Sequence, residues 1–320
     1  MTDNVSLFEN MASTTINRYQ KDLADNFTTN NELLKDLRKN GNIKGDDGGI
    51  AIFENLEYSN NGEAQRTSGA SQWNLMSKPM ATVASYQRKF MVVPITFTGA
   101  EKAANRGESK MIDLLKGKVA NAEKNMMNTL SYDIYSDGSL PNQIGGLQYL
   151  IADSPSSGTV AGIDRSSHDF WRNQVVSGAL TTSNIKNAMR EAYTKTKRNA
   201  DAISAYYADD ITWNKYVSSI EENQRFVSTD GNGGFDPNRV KFMGRDVALD
   251  GGIGGNCPAK HMYAVNTDYI KFRTHDDYNF IRKGKVSAAN ADVWADAFMW
   301  GGALTMSNAK LQCVIIDTSN

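Results

Sequence analysis

The stretch GIAIFENLEYSNNGEAQRTSGASQWNLMSKPMATVASYQRKFMVVP, residues 49–94, decides how this chain is read. It opens on a strand run from Ile50 to Tyr58. Ile50, Ile52, Leu56 and Tyr58 share one face of that run, because successive side chains of extended backbone point to opposite sides. A polar connector follows, SNNGEAQRTSGASQWNLMSKP, with Trp73 and Met76 as its large apolar anchors. It is longer than the connections of compact domains usually are. The chain returns through Phe90, Met91, Val92, Val93, Ile95 and Phe97. Pro94 lacks a ladder donor, which favours an edge or a bend there. The stretch reads as an extended hairpin arm with nothing local to pack on. An isolated two-stranded hairpin is marginal in water, so the arm needs a surface, and another copy of the chain is the simplest one. Large apolar groups at a loop tip mark partner surfaces. Tyr58, Trp73 and Met76 are therefore expected to make intersubunit contacts.

Next in the chain, Thr98-Gly99-Ala100-Glu101 opens a short helix that Gly107 interrupts. A long amphipathic helix then spans about Glu108 to Ser136. Met111, Leu114 or Leu115, Val119, Ala122, Met126, Leu130 and Ile134 recur in steps of three and four, which places them on one stripe. Such a helix is about 40 Å long at 1.5 Å per residue. Asp137-Gly138 and Pro141 end it. Packing along it is assigned to Met111, Leu115, Ala122, Met126 and Leu130. Its lysines, Lys110, Lys116, Lys118 and Lys124, read as a solvated face.

Upstream, residues 8–40 look helical, with Ile16, Tyr19, Leu23 and Phe27 in one helix and Leu33, Leu34 and Leu37 in a second. The apolar stripe is thin, so this segment is expected to lie on a surface and not in the core. Downstream of Gly145 the pattern is mixed. Residues 146–152 form a short apolar element, and 154–165 a turn-rich loop. Thr182 to Lys197 reads as a helix capped by Thr182 or Ser183 and buried through Ile185, Met189 and Tyr193. A strand at 202–208 leads to a helix capped by Asp209 or Asp210. Strand runs follow at 240–243, 247–249, 261–265, 270–273, 298–306 and 311–316.

The chain has 320 residues, 40 % hydrophobic and 22 % charged, with formal net charge −1. It can bury a real core, but it has no basic excess with which to coat nucleic acid by charge alone. Cys257 and Cys313 are its only cysteines and read as free thiols. No signal peptide and no membrane span are expected, since no run approaches about 20 apolar residues.

Chemistry-bearing motifs are few. His168, His261 and His275 are scattered. Gly251 to Gly255 lacks the Gly-Lys-Ser/Thr of a phosphate loop, and Pro258 stands where its helix should begin. The run Asp230-Gly231-Asn232-Gly233-Gly234 departs from a calcium loop at Phe235 and Lys241. No Gly-x-Ser-x-Gly elbow is present. The basic run Lys195-Thr196-Lys197-Arg198 complements a helix C-terminus without needing a ligand. No catalytic residue, cofactor or metal is assigned.

The order of elements resembles the major capsid proteins of tailed bacteriophages, the Hong Kong phage capsid fold shared with encapsulins. The stretches GGIAIFENLEYSNNGEAQRTSG (48–69), TFTGAEKAANRGESKMIDLLKGKVANAEKNMMNTL (96–130) and, most specifically, GGLQYLIADSPSSGTVAGIDRSSHDFWRNQ (145–174) carry the resemblance. It implies an α+β fold with an N-terminal arm (1–48) and an extended β-hairpin loop (49–97). A spine helix would open the peripheral domain (98–139), a mainly axial domain would span 140–265, and return strands would complete the peripheral domain (266–320). It further implies pentamers and hexamers forming an icosahedral virion head around non-specifically contacted double-stranded DNA, assembled in the bacterial host cytoplasm. A separate scaffolding protein and a portal are implied partners, with no membrane. Some relatives weld subunits through a lysine–asparagine bond; Lys78 lies in the loop, but no crosslink is predicted. An encapsulin-like compartment is the nearest rival, and a soluble enzyme with an inserted lid a distant one.

Overall fold

The computed structural model describes residues 31–49, 51–58, 69, 81–104, 108–221, 239–251, 255–283, 286–287 and 292–319. Its longest element is the helix expected from the stripe, Glu108–Tyr135, labelled α3. Val119, Ala122, Met126, Leu130 and Ile134 are all buried. The helix stops where the chain doubles back across its end. A Cβ on Gly146 would lie 2.3 Å from the Ile134 carbonyl, so only glycine permits this approach. Before α3 comes a short helix, α2 (Gly99–Ala104). It is held by reciprocal capping: Glu101 N–H donates to Thr98 Oγ1 (3.3 Å) and Thr98 N–H donates to Glu101 Oε2 (3.1 Å), which satisfies donors that the helix itself leaves open.

Among the described residues, two six-stranded sheets share the main core with this spine. The first joins β1 (Ile43–Asp46), β4 (Lys89–Thr98), β12 (Ile270–His275), β13 (Ile281–Arg282), β14 (Val286–Ser287) and β15 (Val293–Met306). Strand β15 is its axis. It pairs antiparallel with β4 over ten positions, from Val293↔Thr98 to Gly302↔Lys89. Among the described residues β4 has no other partner strand, so Pro94 does sit on an edge.

The second sheet runs β7-β16-β11-β8-β10-β9. Its strands are β7 (Gln174–Gly178), β8 (Ala205–Ala208), β9 (Arg239–Phe242), β10 (Arg245–Leu249), β11 (His261–Val265) and β16 (Cys313–Asp317). It is covered on both faces. Tyr206, Ala208, Met262, Ala264, Cys313 and Ile315 join a core with helices α5 (Ile185–Thr196) and α6 (Asp210–Glu221). The alternate residues Ala205, Tyr207, Tyr263, Val265 and Val314 join the main core with the spine helix. Double burial explains why these strands read as unbroken apolar runs. The caps differ in part from expectation. Helix α6 is capped by Asp209, whose Oδ1 accepts from Thr212 N–H at 2.9 Å. Helix α5 is preceded by Asn184, not by Thr182 or Ser183. Asn184 turns its carboxamide outward to Thr181 N–H (2.7 Å) and fixes the loop before the helix.

The remaining strands form two small pairs, β2 (Ala51–Glu57) with β3 (Ala81–Gln87), and β5 (Thr159–Val160) with β6 (Ile163–Asp164). Two expectations are corrected here. The run Phe90–Phe97 does not return along the first strand of the arm: residues 81–87 do, and the following strand crosses into the β15 sheet. The alternation Val93, Ile95, Phe97, inside beneath that sheet, gives β4 its own core face. The segment before the arm also departs from expectation. Helix α1 (Glu32–Lys39) and a short helix, α4 (Leu147–Leu150), both bury their leucines. Leu33, Leu34 and Leu37 are 0 % exposed and belong to the main core. Three leucines on one short stripe suffice because charged neighbours are seated too. Arg239 of β9 pairs with Glu32 at 2.6 Å and Asp36 at 3.0 Å, and Tyr207 donates to Asp36 at 2.7 Å. The helical run expected around Ile16 to Phe27 lies outside the described residues.

Candidate assembly site

The β2–β3 hairpin is built from alternation. Ile52, Glu54, Leu56, Ala84 and Tyr86 point inward and are buried, while Phe53 is 65 % and Val83 48 % exposed on the other face. The register pairs Phe53 with Ser85 and Asn55 with Val83, so the two exposed apolar groups are diagonal neighbours.

The inward face is bound to the body by specific polar contacts. The buried Glu54 carboxylate accepts from Arg273 at 2.8 and 3.1 Å, from Lys271 at 3.3 Å and from Thr305 Oγ1 at 3.2 Å. Burial alone pushes its pKa up; hydrogen bonding and charge from Arg273, then Lys271, outweigh that and hold the pKa below the ordinary glutamate value. Tyr86 Oη donates to the Met306 carbonyl (2.7 Å) and accepts from Met306 N–H (3.1 Å). This contradicts the expectation that the arm has nothing local to pack on, as far as its strands are concerned. The physical reason is that one glutamate and one tyrosine among the inward residues find their partners on β12 and β15.

The entry to the hairpin is a hinge-like corner. Gly48 and Gly49 take φ of 124° and 102°, which side-chain-bearing residues rarely adopt. Between β3 and β4, Arg88 reaches back, donating to the Gly49 carbonyl at 2.7 Å and pairing with Asp46.

The residues assigned to contact a neighbour are distributed as follows. Tyr58 is 37 % exposed and stacks on Phe170 of the same chain at 4.6 Å between centroids. Trp73 and Met76 lie outside the described residues, as does Lys78. Of the packing residues on the spine helix, Ala122, Met126 and Leu130 are buried, while the side chains of Met111 and Leu115 are not described. Lys118 departs from a solvated reading: it donates to Glu101 at 2.6 Å and to the Thr96 carbonyl at 2.7 Å, tying helix α3 to α2 and β4.

At the far end of the spine, Tyr135 Oη donates to the buried Asp250 carboxylate at 2.5 Å. Burial pushes the Asp250 pKa up to about 6, against the Tyr135 hydrogen bond and helped by the nearby Glu32 charge. The pattern gave no sign of the Glu32–Arg239–Asp36 and Tyr135–Asp250 links, since their partners stand far apart in the chain.

Among the described residues, no group of three or more His, Cys, Asp or Glu is arranged to hold a metal, and no helix is long and apolar enough to cross a membrane. His261 contacts Asp153 at 3.1 Å, and Cys257 and Cys313 are buried free thiols. Residues 252–254 of the glycine-dense stretch and the whole of 230–234 lie outside the described residues.

No protein-family model matches the sequence, and no curated protein does. Solved structures do. The cyanophage A-1(L) capsid asymmetric unit matches with a TM-score of 0.62 and 17 % identity, over 88 % of this chain and 91 % of that one. The capsid of a native GTA particle matches at 0.59 and 9 % identity, over 88 % and 90 %. A structure from Mycobacterium phage Bobi matches at 0.57 and 10 % identity, again over 88 % and 90 %. The chain therefore has the α+β major capsid fold of tailed phages, with its hairpin loop and long spine helix.

Proposed function

We propose that this chain is the major capsid protein of a tailed bacteriophage. It assembles with itself into pentamers and hexamers that close an icosahedral head around double-stranded DNA. The observation that carries this reading is the near-complete match of the fold to the cyanophage capsid subunit, over 88 % of this chain and 91 % of that one. The hairpin supports it, because the body anchors one face and leaves Phe53 and Val83 open on the other. Exposed apolar groups on a rigid ribbon suit burial against a neighbour.

In this reading residues 1–48 are the N-terminal arm, 49–97 the extended loop, 98–139 and 266–320 the peripheral domain and 140–265 mainly the axial domain. Tyr58, Trp73 and Met76 contact the next subunit, and Met111, Leu115, Ala122, Met126 and Leu130 pack the spine helix. The role is structural, without catalysis. A scaffolding protein and a portal act as partners in the host cytoplasm, and the finished protein resides in the virion. Many weak loop contacts made at once hold each subunit in place.

Electron microscopy of the purified protein tests the reading directly. Closed particles are expected from the full chain, and soluble folded subunits without closed particles from a variant lacking residues 60–77. A full chain that stays monomeric at high concentration contradicts the proposal.

A further inference from the structure

Below Tyr58, where the first hairpin strand ends, a cavity of about 290 Å³ opens between the hairpin, the end of α5 and the loop before β16. Four cationic residues line it, Lys195, Lys197, Arg198 and Lys310, against one acidic residue, Glu57. Two of the four have carboxylate partners: Lys195 pairs with Glu191 at 2.8 Å and Lys310 with Asp169 at 2.9 Å. Lys197 lies over the Tyr193 ring, 5.7 Å from its centroid, with no carboxylate partner among the described residues. The Arg198 backbone is tied to Asp201, but its guanidinium takes no carboxylate among the described residues. Tyr58 stacked on Phe170 forms an apolar wall beside them. The helix dipole at the end of α5 needs some of this positive charge, but not four cationic residues around one cavity.

We propose that this pocket receives a carboxylate side chain from an acidic segment of a neighbouring copy of the chain. The inference rests on the shell reading and assigns it a specific contact. A guanidinium fork matches a carboxylate in two-point geometry, and the Tyr58–Phe170 wall suits the methylene stem of a glutamate. The concavity argues against duplex DNA, which presents its phosphates on a convex surface and meets cations spread over an open face. Charge balance argues for self-recognition. The chain carries 35 cationic and 36 anionic side chains, so a cationic pocket is complemented by acidic surface elsewhere on the same molecule, such as the exposed turn at Asp276 and Asp277. Ring-closing contacts bring two different patches of identical subunits together.

The experiment compares particle formation by the full chain and by K197E/R198E, using sedimentation and electron microscopy, with the melting temperature of the unassembled subunit as the control for folding. The double variant is expected to stay folded, melting slightly below the parent because two anions then sit at a helix C-terminus, and to lose at least tenfold in particle yield. R198Q, which is milder, is expected to lose part of it. Hexaglutamate peptide should inhibit parental assembly more strongly than either inorganic phosphate or a duplex DNA oligonucleotide. If the parent assembles and both variants assemble equally well, the pocket assignment fails while the shell reading stands. Stronger inhibition by the DNA overturns it in favour of a nucleic-acid site. A parent that forms no particles removes both.

Discussion

Strands β8 and β2 are buried in different ways. All four residues of Ala205–Ala208 are inside, whereas Ala51–Glu57 alternates between buried and exposed. The first belongs to a sheet that two cores cover, one on each face. The second belongs to a ribbon of two strands that borrows one face of the body and shows the other to its surroundings. Self-sufficient burial and an open apolar face thus sit in separate regions of the chain. A sheet covered on both sides supplies its own stability. A ribbon anchored by Glu54 and Tyr86 is firmly placed, yet keeps an apolar face available for a neighbour.

The largest expected effect breaks the doubly covered sheet. Tyr207→Ala removes a fully buried ring and the donor to Asp36. A loss of about 3–5 kcal/mol is expected, as for other buried aromatic truncations, and denaturant unfolding measures it. A loss near zero contradicts the role given to this sheet.

Next comes Asp250, at the junction of that sheet with the spine helix. Its pKa rises from 3.8 to about 6 on folding. Between those values the folded state binds more protons than the unfolded one, so stability falls as pH rises. Across this window the parent should lose about 3 kcal/mol relative to Asp250→Asn. Melting curves of the two proteins from pH 3.5 to 7 provide the comparison, and parallel curves would refute it.

Glu54 tests the ribbon with the opposite sign. Its pKa is lowered on folding, so its contribution is present above the unfolded carboxylate value and lost as pH falls through the folded one. Glu54→Gln should cost about 2 kcal/mol at neutral pH, in the range for hydrogen bonds to charged groups. The gap to the parent should close in acid. A gap that persists unchanged at pH 3 means that packing and not charge anchors the hairpin.

The smallest stability effect is expected on the open face. Phe53→Ala should change the free subunit by less than about 0.5 kcal/mol, as exposed substitutions usually do, while lowering particle yield. Equal effects on folding and on assembly would show that the ring is buried within its own subunit.

Much of the framework was legible locally. Steps of three and four from Val119 to Ile134 mark the spine, and apolar runs mark β8, β11 and β16. Pro94 announces an edge. Less legible was which strand pairs with which. Val93, Ile95 and Phe97 look like the second half of a hairpin, because alternation reports a buried face and not the identity of the strand alongside. The short arm helix reads as superficial because its apolar stripe of Leu33, Leu34 and Leu37 is thin, yet all three are buried. Their seat depends on Arg239, some two hundred residues away.

Periodicity along the chain is enough to mark the spine helix, the alternating ribbon and the lack of any close-spaced catalytic motif. Each of these depends on neighbours within a few residues. The folded arrangement adds what periodicity leaves open: the ribbon rests on its own body, β4 crosses to β15, and Glu54, Arg239 and Asp250 find partners from remote segments. Pairing and charge compensation are set by three-dimensional proximity, which the local pattern of side chains does not encode.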